Sequence, residues 1–185
     1  MALIMPAFMV HPDEAAVIGR LLAGFGELEY YMAMCARNAS DEPDIVFRTI
    51  FRVRGEEQRI LIADALMREK YIDIGLEDSY RNTIAGMYWC KNLRNQYAHC
   101  HWATHSQLGL RFTNMGSAAK KNDRPMMLTI HGVDLPLLGT QEEFFAHMNE
   151  LFWYLDHEYQ LRAGKLSSHT FALPPAKQPP PQYNP

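Results

Sequence analysis

Three features of the sequence predict a mainly helical fold, an antiparallel helical bundle with an inserted β-hairpin between the fourth and last helices. Apolar residues recur at spacings of three and four over most of the chain. The period shortens to two only between about residues 107 and 133. Capping and stop residues divide the helical stretches into five.

The first long helix begins at Pro12, with Asp13 and Glu14 in the turn where carboxylates complement exposed amides. Ile18, Leu21, Phe25, Leu28, Met32 and Cys35 form its apolar stripe, a bundle core or dimer seam. Ser40, Asp41 and Pro43 supply a stop and a new start, giving a shorter helix through Val46, Ile50 and Val53. The third helix follows Gly55, turns Ile60, Ala63, Leu66 and Met67 inward, and ends near Gly75. The fourth spans Glu77 to about Trp102, with Tyr80, Ile84, Met87, Cys90, Leu93, Tyr97 and Cys100 apolar at helical spacing.

Leu108, Leu110 and Phe112 alternate with Gly109, Arg111 and Thr113, and Met126, Leu128 and Ile130 alternate with Met127, Thr129 and His131. Both stretches read as half-buried strands of one hairpin, joined by an exposed, mobile tip from Gly116 to Pro125. The last helix opens on a Thr140-x-x-Glu143 capping box, buries Phe145, Met148, Phe152, Leu155 and Tyr159, and ends at Gly164. From Lys165 the prolines favour a solvated, extended and disordered tail, for which a proline-recognition ligand is the sharper reading. The predicted organisation is therefore one helical domain over 1–164 and a tail over 165–185.

A chain of 185 residues, 48% hydrophobic, supports one sizeable core. A net charge of -3 excludes a strongly basic nucleic-acid-coating surface, so any RNA contact has to be local. Cys35, Cys90 and Cys100 form no even-numbered framework and no CxxC pair, which points to reduced thiols and a cytoplasmic protein. The apolar opening Met1–Val10 lacks a basic leader region and is broken by Pro6. It is expected to pack on the body, with no membrane association.

Near the end of the fourth helix, Lys91, Asn95 and His99 fall at i, i+4 and i+8 and line one polar stripe, with Arg94 beside it. RNA carries its own nucleophile, the 2'-hydroxyl, so cleavage needs only proton transfer and a cation on the phosphate. His99 suits general acid-base work, Arg94 suits a phosphate clamp, and Asn95 could orient the imidazole or bind a phosphate oxygen. No metal or other cofactor is required.

The segment Arg94-Asn95-Gln96-Tyr97-Ala98-His99 resembles the R-N-x-x-x-H form of the HEPN motif. The motif covers six residues, and the compatible helical layout covers about 12–105 and 140–163. The resemblance implies a HEPN-like bundle and a homodimer in which Arg94, Asn95 and His99 of both chains face one cleft. It further implies metal-independent RNA cleavage leaving a cyclic phosphate, and a toxin or defence setting with an antitoxin-like protein partner. The hairpin departs from the plainest family layout. A degenerate member would instead bind RNA or a protein without cutting.

Further phosphate contacts are sought at Lys91, Arg52, Arg54, Lys120, Lys121 and Arg124, against the blander expectation of solvated ion pairs and an unengaged loop. The blander reading of Arg94 and His99 is of basic residues satisfying a helix end. His99, Cys100, His101 and His105 invite a zinc reading, but adjacent helical residues diverge and no second ligand pair completes a set. Cys100 beside His99 reads as a small buried hydrophobe rather than a nucleophile. Of Glu27 and Glu29, only Glu27 lies near the edge of the apolar stripe, where it could face Arg94 or His99.

Overall fold

The computed structural model describes residues 5–120 and 127–184. The chain is mainly helical, at 67% helix, with a small antiparallel sheet. The order is α1 (Pro6–Val10), α2 (Pro12–Ala39), α3 (Pro43–Arg52), α4 (Glu56–Asp73), α5 (Glu77–Ala98), β1 (His101–His105), β2 (Gly109–Thr113), α6 (Met115–Lys120), β3 (His131–Gly132) and α7 (Leu135–Arg162). Two compact units emerge, the first from the described parts of Met1–Ala23, Asn92–Phe144 and Pro179–Pro185, the second from Gly24–Lys91 and Phe145–Gln178.

In the second unit the expected stripe holds: Phe25, Leu28, Met32 and Cys35 are buried with Ile50, Ile60, Met67, Met87 and Phe152. Tyr71 stacks between Tyr80 and Tyr159, at centroid distances of 5.5 and 4.5 Å, and its hydroxyl donates to the Cys35 carbonyl at 3.3 Å. α4 closes where predicted. Gly75 adopts φ +77°, and Leu76 N–H donates back to the Tyr71 carbonyl at 2.9 Å, the closure that a left-handed residue permits. Gly164 closes α7 alike, at φ +71° with Lys165 N–H on the Gln160 carbonyl. Leu66 faces outward at 38% exposure, against the expectation of an inward position.

The first unit departs more from the sequence reading. α5 stops at Ala98 instead of running to Trp102, and the hairpin is β1 with β2, not 107–133. His101 pairs with Thr113 and His105 with Gly109, leaving a three-residue turn that Gly109 closes at φ +72°. Trp102 is what turns the chain into a strand: its ring meets Tyr97, Phe112 and Phe8 at 5.5, 5.2 and 5.3 Å. That cluster also holds α1 to β1, as expected of the opening segment.

The second predicted strand is absent among the described residues: Met127, Leu128 and Ile130 are exposed and irregular, and only His131–Gly132 pairs, with Arg111 and Phe112. An alternating pattern makes a strand only where a partner edge and a buried face await it. Met126 and part of the predicted tip lie outside the described residues; Met115–Lys120 is a short helix. α7 begins at Leu135, five residues before the predicted capping box. Asp134 is the cap, its Oδ1 accepting from Leu137 N–H at 2.9 Å, while the Thr140 hydroxyl donates to the Leu137 carbonyl at 2.7 Å.

The tail also differs from the free chain predicted for it. Residues 165–182 form no helix or strand, yet Phe171 packs on Trp153 at 5.3 Å in the second unit. In the first unit Asn184 bridges to Gly132. No described helix is long and apolar enough to cross a membrane.

Candidate functional site

The motif occupies the last turn of α5. His99 follows the helix directly and its N–H still donates to the Asn95 carbonyl at 3.2 Å, so that turn is α-helical through His99 rather than tightened. Asn95 and His99 therefore stand one turn apart on the same side. Arg94 and His99, five positions apart, leave a regular helix about 140° apart around its axis. The distortion that was to bring them together in one chain is absent.

Arg94 is half-buried, and its Nη1 donates to Asn95 Oδ1 at 2.9 Å. The amide oxygen of Asn95 is thus engaged by the guanidinium, and its Nδ2 is the donor that the expected phosphate contact would use. His99 itself is exposed. The arrangement offers a fixed cation tied to an amide and a solvent-facing imidazole one turn beyond, the elements of phosphate binding and proton transfer.

The supporting cations belong to both units. Lys91, in the second unit, is only 7% exposed, donates to Glu57 Oε2 at 3.2 Å and lies 5.2 Å from the Tyr88 ring centroid. Arg52 ends α3 and Arg54 follows it, both exposed; Lys120 ends α6, also exposed. Lys121 and Arg124 lie outside the described residues. Glu29, rather than Glu27, is the buried carboxylate of α2, and it accepts from Arg59 Nη1 at 2.9 and 3.0 Å; Glu27 is exposed.

Between Asn95 and His99 lie Gln96, which the sequence reading left as a motif spacer, and Tyr97, which it placed on the apolar stripe. Tyr97, 2% exposed, donates to Gln141 Oε1 at 2.7 Å, and burial pushes its phenol above the usual range. Gln141, wholly buried on α7, donates onward from Nε2 to the Pro181 carbonyl at 2.8 Å. Gln96 Nε2 donates to the Gln182 carbonyl at 3.4 Å. A signal for Gln141 exists in the sequence: it falls at i+3 and i+4 from Leu138 and Leu137, on an apolar stripe.

Cys100 is half-buried, its thiol pushed up to about 12 by burial and directed at the Tyr97 carbonyl, so it is no thiolate nucleophile. Among the described residues no three His, Cys, Asp or Glu side chains converge as a metal site. Compared with models of known families, with curated proteins and with solved structures, the chain has no match.

Proposed function

We propose that the chain is a HEPN-type, metal-independent endoribonuclease, with Arg94, Asn95 and His99 of two protomers facing one cleft. The observation that carries this reading is the Arg94–Asn95 hydrogen bond in the last turn of α5, with exposed His99 one turn beyond Asn95. A mainly helical chain bearing the motif late in a long helix supports it.

In this mechanism the His99 imidazole takes the 2'-hydroxyl proton as that oxygen bonds to phosphorus, and water gives a proton to the departing 5'-oxygen as the P–O5' bond breaks. The imidazolium then neutralises the hydroxide left behind. The products are a 2',3'-cyclic phosphate and a free 5'-hydroxyl. Arg94 holds the charge on the non-bridging oxygens. Because the nucleophile comes with the substrate, the reaction needs no metal. Arg52, Arg54, Lys120, Lys121 and Arg124 are proposed as further phosphate contacts, and Lys91 as a weaker one because Glu57 competes for it. A cytoplasmic setting accompanies this reading, supported by Cys35, Cys90 and Cys100 standing as free thiols.

The test is incubation of the purified chain with a panel of RNAs, with and without chelator, and mapping of the cut ends. Cleavage should survive chelation, leave cyclic phosphate, and fall at least about 100-fold in both His99→Ala and Arg94→Ala with the helical signal intact. Activity that survives His99→Ala overturns the mechanism. One observation favours a second reading, a noncatalytic HEPN-type RNA- or protein-binding module: the regular last turn holds Arg94 and His99 on different sides of α5. Tight RNA binding without any cut ends would select it.

A further inference from the structure

The end of the chain is gripped mainly through its backbone. Three side chains of the first unit, Gln96, Tyr97 and Gln141, lie within hydrogen-bond distance of the Pro181 and Gln182 carbonyls, at 2.8 to 3.4 Å. Asn184 N–H donates to the Gly132 carbonyl at 2.8 Å, extending the exposed edge of β3. The Tyr183 ring lies against His131 with centroids 3.8 Å apart, and Asn184 Nδ2 donates to Asp134 Oδ2 at 3.0 Å.

We infer that this groove is a receptor for an extended peptide, and that its occupant is the chain's own Pro181–Asn184 segment, held in cis as a detachable strap on the motif end of α5. Carbonyl capture and edge pairing recognise extended backbone, while His131 and Asp134 read the Tyr183 and Asn184 side chains. Pro179, Pro180 and Pro181 have no amide hydrogen to give and hold an extended form in advance, which lowers the ordering cost of docking. The strap is not packed as core. Tyr183 is 40% exposed, and Gln182 and Tyr183 roof a cavity of about 260 Å³ over Gln96, Phe112, Thr129 and His131. Of the side chains at these carbonyls, Gln96 belongs to the six-residue motif and donates to Gln182, while Tyr97, also of the motif, gives its one proton to the Gln141 that holds Pro181, so docking bears directly on the turn that carries His99. This inference stands whether or not the chain cleaves RNA.

The experiment compares the full-length wild type with full-length Tyr183→Ala/Asn184→Ala, using a labelled synthetic peptide of residues 176–185. In the wild type the tethered strap competes at high effective concentration, so the peptide should bind the double variant at least roughly tenfold more tightly. The same peptide carrying Tyr183→Ala should bind neither protein. Deuterium exchange at the amides of 182–184 and of Gln96–His99 should be at least about tenfold faster in the double variant, and Gln96→Ala should move exchange in the same direction. Equal peptide affinity for both proteins, no binding to the variant, or unchanged exchange at Gln96–His99 overturns the proposal. So does loss of helical signal in the variant, which would make the segment core rather than strap. Protection of 182–184 that disappears on dilution would assign the groove to a second copy's tail and overturn occupancy in cis.

Discussion

Gln141 sits on α7 with no solvent exposure, a place where an amide is costly unless both its ends are paired. Tyr97 and Pro181 pair them. Tyr97→Phe keeps the ring and leaves Gln141 Oε1 without its donor, so it should lower unfolding free energy by about 1–2 kcal/mol in a urea titration. No change would mean that water reaches the amide. Asp156, buried in the second unit, is a different kind of polar residue. Burial pushes its carboxyl above the ordinary range, and the hydrogen bonds from Asn38 and Gln160 pull it back only in part. A folded state that holds this proton more tightly is favoured at low pH. The contribution is fully present below the ordinary aspartate value and is lost as pH rises through the raised one. Urea titrations from pH 3 to 8 should show that decline in the wild type and not in Asp156→Asn; identical profiles would remove Asp156 as its source. At this scale the placement of Arg94, Asn95 and His99 at the end of α5 was legible, since helical spacing alone puts them there. The buried relay was not, because a glutamine on an apolar stripe reads as an irregularity until its partners, 40 and more residues away, are seen.

Helix boundaries show where local patterning suffices and where it fails. α2, α4 and the ends at Gly75 and Gly164 follow from signals within a few residues of the event, an N-terminal proline or a glycine able to take a left-handed conformation. The start of α7 does not. Thr140-x-x-Glu143 has the composition of a capping box, but Asp134 lies upstream and Leu137 and Leu138 bring enough apolar surface to extend the helix backward. Asp134→Ala should therefore cost about 1 kcal/mol, Asp134→Ser should recover most of it, and Thr140→Ala should cost under about 0.5 kcal/mol. Thermal or urea unfolding checks the order, and a larger loss at Thr140 would restore the capping box. α5 ends early for a nonlocal reason. Cys100 continues the helical period, yet by leaving the helix Trp102 packs on Phe8 of α1, Tyr97 of α5 and Phe112 of β2. Met127–Ile130 is the converse, an alternating run with no buried face to occupy.

For the whole chain, the helical class was readable because helices are written in contacts three and four residues long. The return of residues 181–184 to β3 was not, since it joins segments some 50 residues apart in sequence. The proposed homodimer belongs to this scale, and the regular last turn of α5 sharpens it. If Arg94 and His99 diverge within a chain, the functional pair is Arg94 of one protomer with His99 of its partner. Two inactive proteins, Arg94→Ala and His99→Ala, then complement each other. In an equal mixture about half the dimers are mixed, and each mixed dimer keeps one of its two trans pairs, so roughly a quarter of wild-type cleavage should return. A pair acting within one chain predicts no recovery, because every chain in the mixture lacks one partner. The measurement is RNA cleavage after co-refolding the two variants, with each variant refolded alone as the baseline. Recovery near a quarter places the reacting groups across the two-fold, and none at all places them on a single helix.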